Sequence, residues 1–245
     1  MTKKNNQIQI TQRDIDLLFF LHSVKIATID QIGREAYPDL GKWGLYKRLQ
    51  RLEKQGYLQG IRSSETNFNK VYNITRKSFK KYFPIRDVKR NEIKSDSIKH
   101  DIGLVDIRHA LCRSNKVTTY IPENSLQTWP TSHIGEVYTS FVRCNSDAAL
   151  ELTVNNVQIY FAIEYEISLK QDIRYRDTLR RYYLENNISR VIYILESQNH
   201  IKHIIKAEKE MDITMQPKFF YTTKEQLVQN EKLIFTNWKN QVIEL

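Results

Sequence analysis

The sequence predicts an α/β protein, α+β overall, in two parts. Residues 1–91 read as a small helical module closed by a β-hairpin, and residues 92–245 as an α/β domain around a mixed central sheet. Three observations carry this. The chain has 245 residues, 40% of them hydrophobic, enough to bury one large core or two modest ones. Apolar residues recur at helical spacing over the first fifty-odd positions, and alternate in later runs such as DAALEL and VQIYFAIEYEI. Charge is also uneven: residues 1–100 hold 21 Lys and Arg against 10 Asp and Glu, while the remainder hold 17 against 18. The net charge of +10 therefore sits on the first module, the footprint of an amino-terminal unit that meets a polyanion.

Several classes are excluded at this level. No apolar run approaches the ~18–20 residues of a membrane helix, no basic-then-apolar leader precedes a small-residue cleavage site, and no basic amphipathic segment suits a membrane surface. Cys112 and Cys144 do not make a disulfide framework, so a reducing, cytoplasmic setting is expected.

The elements follow in order. TQRDIDLLFFLHSV opens on Thr11 with Asp14 three residues on, a capping box, and continues with Leu17, Leu18, Leu21 and Val24 at helical spacing. Thr28 with Gln31 opens a second, short helix, and Pro38, Gly41 and Gly44 punctuate the turn after it. WGLYKRLQRLEKQG is a third helix stopped by Gly56, with Leu45, Leu49 and Leu52 as its buried seam. Lys47, Arg48, Gln50, Arg51 and Lys54 are assigned to the face away from that seam. Trp43 and Tyr46 read as core anchors rather than base stackers. YLQGIR and KVYNIT, separated by SSETNFN, form a hairpin whose tip is flanked by Arg62 and Lys70.

Three short helices followed by a hairpin is the order of a winged helix-turn-helix. In that fold the third helix enters the major groove of double-stranded DNA and the wing reaches the backbone or minor groove. Lys47, Arg48, Arg51 and Lys54, with Arg62 and Lys70 on the wing, are the expected phosphate contacts. Arg48, Gln50 and Arg51 can in addition read base edges. A basic connection follows, from Arg76 to Arg90, in which Thr75 caps a short helix that Pro84 ends. Its expected role divides between solvated linker and non-specific phosphate attraction.

The second part opens with a helix after Ser97. An extended run VTTYI, DAALEL, an Asn155-Asn156 turn, VQIYFAIEYEI, a helix QDIRYRDTLRRYYLENN, a buried strand RVIYILE, KFFYTT and a closing helical stretch come next. Asp147 starts one strand and Glu164 and Glu166 end the next. Residues two apart on a strand share a face, so a hairpin through Asn155-Asn156 brings three carboxylates together. Such a cluster can hold a hard divalent cation through its oxygens, an ion able to activate water and stabilise a phosphodiester under attack.

The winged helix joined to SDAALEL…YFAIEYEISLKQDIRYRDTLRRYY resembles the replication-relaxation proteins of plasmids and other mobile genetic elements. Their second domain is similar to the PD-(D/E)xK restriction-endonuclease fold. Over residues 11–200 the resemblance implies that Asp147 matches the first acid of the motif, Glu164 the second, and Glu123 an accessory acid. Ser146 replaces the motif's proline and Glu166 its lysine, with Lys170 four residues on.

That substitution makes a degenerate nuclease-like domain the first expectation, serving regulation, replication control or mobilisation. A Mg²⁺-dependent endonuclease using Asp147, Glu164, Glu166 and Lys170 is the alternative. A homodimer, or a protein partner from a replication or mobilisation complex, is compatible with either. Elsewhere, Arg174, Arg176, Arg180 and Arg181 beside Tyr175, Tyr182 and Tyr183 read as a surface helix whose tyrosines pack on the sheet. His109, Cys112, His133 and Cys144 lack the paired spacing of a zinc site. His200 and His203 read as surface residues, and His100-Asp101 as structural.

Overall fold

The computed structural model describes residues 8–83, 88, 97–211 and 216–245. The chain divides into two compact units, residues 1–105 and 106–245.

The first unit begins with α1 (Gln12–Val24), β1 (Ala27–Thr28), α2 (Ile29–Ala36) and α3 (Lys42–Lys54). Both capping boxes expected from the sequence are formed, Thr11 with Asp14 and Thr28 with Gln31. β2 (Leu58–Arg62), β3 (Lys70–Ile74) and α4 (Arg76–Tyr82) follow. The strands form an antiparallel sheet in the order β1-β3-β2, and the β2–β3 hairpin pairs Arg62 with Lys70 at its loop end. Gly56, at φ 73°, turns the chain out of α3 in the left-handed region, where a side chain would be strained. Leu17, Leu18, Leu21, Ile32, Leu49 and Leu52 make the centre of the core. Thr75 caps α4 as expected. Pro84, Arg86, Lys89 and Arg90 of the basic connection lie outside the described residues, as does the domain boundary at 91/92.

α5 (Ile98–Leu111) was expected to belong wholly to the second part, yet the division of the chain falls inside it. The Gln31 side-chain amide donates to the Ile102 carbonyl at 2.9 Å, Lys25 lies 3.8 Å from Asp101, and Val105 joins the first core. A helix read from its own periodicity cannot announce that its opening turns pack on an earlier element.

In the second unit the chain continues through β4 (Val117–Pro122), α6 (Glu123–Thr128), α7 (Thr131–Ile134) and α8 (Thr139–Cys144) to β5 (Ala148–Val154) and β6 (Val157–Glu166). α9 (Asp172–Leu184), β7 (Arg190–Leu195), α10 (Gln198–Lys209), β8 (Phe219–Thr223), α11 (Lys224–Gln229), β9 (Ile234–Thr236) and β10 (Val242–Glu244) complete it. The closing stretch is therefore the antiparallel pair β9–β10 after a short α11, not a helix.

The seven strands run β10-β9-β8-β7-β6-β5-β4, parallel at β6–β7–β8 and antiparallel on either side, a mixed sheet as predicted. α9 and α10 are the crossovers that parallel neighbours require. Ala149, Ala162, Tyr193 and Tyr221 face a core built with Tyr175, Leu179 and Tyr182 of α9 and Ile201 and Ile204 of α10. Buried Glu208 ties α10 in place by accepting from the Tyr183 and Tyr221 hydroxyls, each at 2.6 Å. No helix of the described residues is long and apolar enough to cross a membrane.

Candidate functional site

Two places carry the residues singled out by the sequence, one in each unit. On α3 the buried seam is Leu45, Leu49 and Leu52, as expected. At about 100° per residue, Trp43, Lys47, Gln50 and Lys54 fall within about 60° of one another on the opposite side, flanked by Tyr46 and Arg51. All six are exposed. Glu53, the one acid of α3, lies at the border of this face and is bonded to Lys70 Nζ at 2.7 Å. The pair folds closely over Gly60, where a Cβ would meet Lys70 Cε at 2.3 Å and would have to displace the ends of these two side chains. Lys70 is thereby engaged within the unit, and Arg62 donates to the Phe68 carbonyl at 3.0 Å, bracing the hairpin loop. Phe68 itself is exposed, in the left-handed region at φ 58°.

Arg48 departs from its expected place. It stands three residues after Leu45 and four before Leu52, so it flanks the seam instead of opposing it. Its guanidinium bonds the carboxylate of Asp14, through Nε at 2.8 Å and through Nη2, and also donates to the Gln9 carbonyl at 2.8 Å. Asp14, 0% exposed, accepts as well from the Tyr37 hydroxyl at 2.6 Å and from Thr11 N–H and Oγ1–H at 2.7 and 2.8 Å. Burial alone would push this carboxyl up, but the bonds from Arg48, Tyr37 and Thr11 outweigh it and hold the pKa below the ordinary value. Arg48 is thus a brace between α3 and the start of α1, and it leaves the set of free cations. Trp43 and Tyr46 also depart from expectation: they are 67% and 41% exposed and stack on each other, not on the core.

In the second unit β5 and β6 pair through the Asn155-Asn156 turn, both residues in the left-handed region at φ 50° and 63°. Ala148 lies opposite Ile163, which sets Asp147 against Glu164 one step further along. The Asp147 N–H donates to the Ile163 carbonyl at 3.1 Å, and its Oδ2 accepts from the Tyr165 N–H at 2.7 Å. β4 brings Glu123 alongside: its N–H donates to the Asp147 carbonyl at 2.8 Å. Glu164 and Glu166 are buried on the face that looks at α9.

Three carboxylates in one place need compensation. Lys170 reaches back to ion-pair with Glu166. Burial works against its charge, but the bond from Glu166 and the fields of Glu166, Glu164 and Asp147 raise its pKa above the ordinary value. Glu164 accepts from the Tyr182 hydroxyl, which in turn lies 2.7 Å from Ser146 Oγ. Burial, then the charge of Asp147, push the Glu164 carboxyl well above its ordinary range despite the Tyr182 bond and the nearby Lys170. The Tyr175 hydroxyl accepts the Lys170 N–H at 3.0 Å and pins the loop that delivers the ammonium.

The structure therefore brings Asp147, Glu164, Glu166 and Lys170 together. It also adds Ser146, Tyr182 and Tyr175, which sequence reasoning did not assign to the site. The seven-residue spacing of Tyr175 and Tyr182, two turns apart on one face of α9, was the available signal.

The oxygens do not converge on a cation. Asp147 is turned to a main-chain amide, Glu164 to a tyrosine and Glu166 to an ammonium. Among the described residues no three His, Cys, Asp or Glu side chains are arranged to hold a metal ion, and this includes His109, Cys112, His133 and Cys144. Burial pushes the Cys144 thiol up to about 12, away from the thiolate that zinc requires. Of the α9 arginines, Arg176 pairs with Glu210 at 2.5 Å while Arg174, Arg180 and Arg181 are exposed, and the three tyrosines are buried. His203 has Asp172 at 2.7 Å, an acid from another helix that the sequence did not place beside it.

Comparison of the chain with protein-family models, curated proteins and solved structures finds no match.

Proposed function

We propose that the chain is a DNA-binding protein of a mobile genetic element, of the replication-relaxation kind, working in the cytoplasm. In this reading the first unit is a winged helix-turn-helix that docks duplex DNA through α3. The second is a PD-(D/E)xK-like domain that has lost cleavage and serves regulation, replication control or mobilisation, alone, as a homodimer or with a protein partner. The observation that carries the reading is the outer face of α3, where Lys47, Arg51 and Lys54 are exposed while the single acid of the helix is already engaged by Lys70. A cationic helix face of this kind lowers its free energy by displacing counterions from a phosphate backbone.

The test is a duplex-binding titration at several salt concentrations. Lys47→Ala, Arg51→Ala and Lys54→Ala together should weaken binding at every sequence, and each lost phosphate contact should reduce the salt slope by about 0.9. Unchanged affinity and slope would remove α3 as the reader.

A second reading, a divalent-metal-dependent endonuclease, is favoured by one observation: Lys170 supplies an ammonium to the acids although Glu166 stands at the motif's lysine position. Incubating supercoiled plasmid with Mg²⁺ or Mn²⁺ separates the two. Nicking that disappears in Asp147→Ala and Lys170→Ala would make the chain a nuclease, and intact plasmid with the wild type retires that reading.

A further inference from the structure

Exposed tryptophan is uncommon on a soluble surface, and Trp43 leaves two thirds of its side chain in water on a helix with five Lys and Arg against one Glu. It does not stand alone. Its ring stacks on Tyr46 at 5.7 Å between centroids with an interplanar angle of 12°, and Lys47 Nζ lies over it at 5.1 Å. The two rings occupy the opening turns of α3, while Arg51 and Lys54 occupy its last turn. A helix laid in the major groove presents its amino-terminal residues to base edges and leaves later cations for the backbone. Apolar side chains in that position recognise the 5-methyl group of thymine, the one hydrocarbon feature of the groove floor.

We propose that the Trp43–Tyr46 stack is the base-reading element of the first unit, contacting a thymine methyl of duplex DNA, with Lys47, Arg51 and Lys54 as its phosphate anchors. The inference rests on the reading of the first unit as a DNA-binding module and adds what that module recognises. Charge complementarity selects the occupant. The face offers cations and an amide around an apolar centre, and a phosphate-lined groove with a methyl on its floor matches each part.

The experiment starts by selecting preferred sequences from a random duplex library with the wild-type full chain. Trp43→Ala and Tyr46→Ala should each weaken the preferred duplex by about tenfold while leaving unrelated duplex and the salt slope unchanged, and Trp43→Phe should keep most of the preference. Replacing the contacted thymine by uracil removes only the methyl. It should cost the wild type roughly fourfold and cost Trp43→Ala nothing further.

If the wild type selects a sequence that Trp43→Ala and Tyr46→Ala still prefer, with the thymine–uracil difference intact, the inference fails and the DNA reading stands. If no duplex is bound at all, both fail. If sedimentation shows a dimer that Trp43→Ala dissolves while sequence preference is unchanged, the stack is a contact between copies and the inference is overturned. Because both side chains are exposed, loss of folding does not confound these variants, and circular dichroism checks this.

Discussion

Both units place buried acids next to a cation, and they do so with opposite stoichiometry. In the first unit one carboxylate, Asp14, receives five hydrogen bonds, two of them from Arg48. Its pKa falls and the charge is fully matched. In the second unit Asp147, Glu164 and Glu166 lie together with a single ammonium, Lys170, bonded to Glu166, and the pKa of Glu164 rises because burial and its neighbour's charge outweigh what Tyr182 and Lys170 return. A matched knot is a structural joint. An unmatched cluster stores unfavourable charge, and the fold holds it through α9 and the strand register of β5 and β6. That difference explains why a basic residue proposed for DNA contact became a brace, while a lysine outside the motif's lysine position arrived among the acids.

The comparison breaks most visibly at Arg48. Arg48→Ala should cost the first unit about 3–5 kcal/mol in urea unfolding, because Asp14 stays buried without its cation. A loss under about 1 kcal/mol would put the pair among ordinary surface bridges and return Arg48 to the candidate DNA ligands.

The next effect is on pH, and it acts on the first unit through His22. This residue is buried against Phe79 and Phe83, and burial lowers its pKa from 6.5 to about 4. The unfolded chain therefore takes up a proton first. The contribution of His22 to stability is whole above pH 6.5 and is lost as pH falls towards about 4, roughly 3 kcal/mol across that window. Hydrogen exchange of peptides from the first unit, corrected for intrinsic rates, should show this decline, and His22→Leu should flatten it. A wild-type profile level from pH 7 to 4 would mean that the fold holds the charged ring as well as the neutral one.

Much of this was legible in the sequence where one period decided the outcome. The Leu45, Leu49 and Leu52 seam, both capping boxes and the Asn155-Asn156 hairpin are local statements, and the hairpin alone set Asp147 against Glu164. Arg48 was misassigned because charge was used to place it where the helical period, three from one core leucine and four from another, puts it beside the core. Trp43 and Tyr46 are large rings, which composition sends inward, but their period agrees with Lys47 and Lys54 and keeps them exposed. Lys170 is named by its place four residues after Glu166, but its ion pair with Glu166 and the Tyr182–Ser146 contact depend on how a loop and α9 lie on the sheet. α10 carries local signals of its own, the Ser197 cap and the helical spacing of Ile201 and Ile204. β9 and β10 are three residues each, too short for alternation to register.

The smallest expected effect tests the unmatched cluster itself. Glu164 titrates near 4.5 in an unfolded chain and well above that in the fold, so the folded state binds the proton more tightly. Its contribution is present below the ordinary carboxyl range and is lost as pH rises through that range towards the folded value, opposite in sign to His22. Glu164→Gln keeps the shape and still accepts from Tyr182, but carries no charge to set against Asp147. It should melt about 2–4 °C higher than the wild type at pH 8 and alongside it at pH 4. The same variant melting lower at pH 8 would show that Tyr182 and Lys170 favour the carboxylate after all. The cluster would then be as well matched as Asp14 in the first unit, and the charged second acid that the nuclease reading requires would be in place.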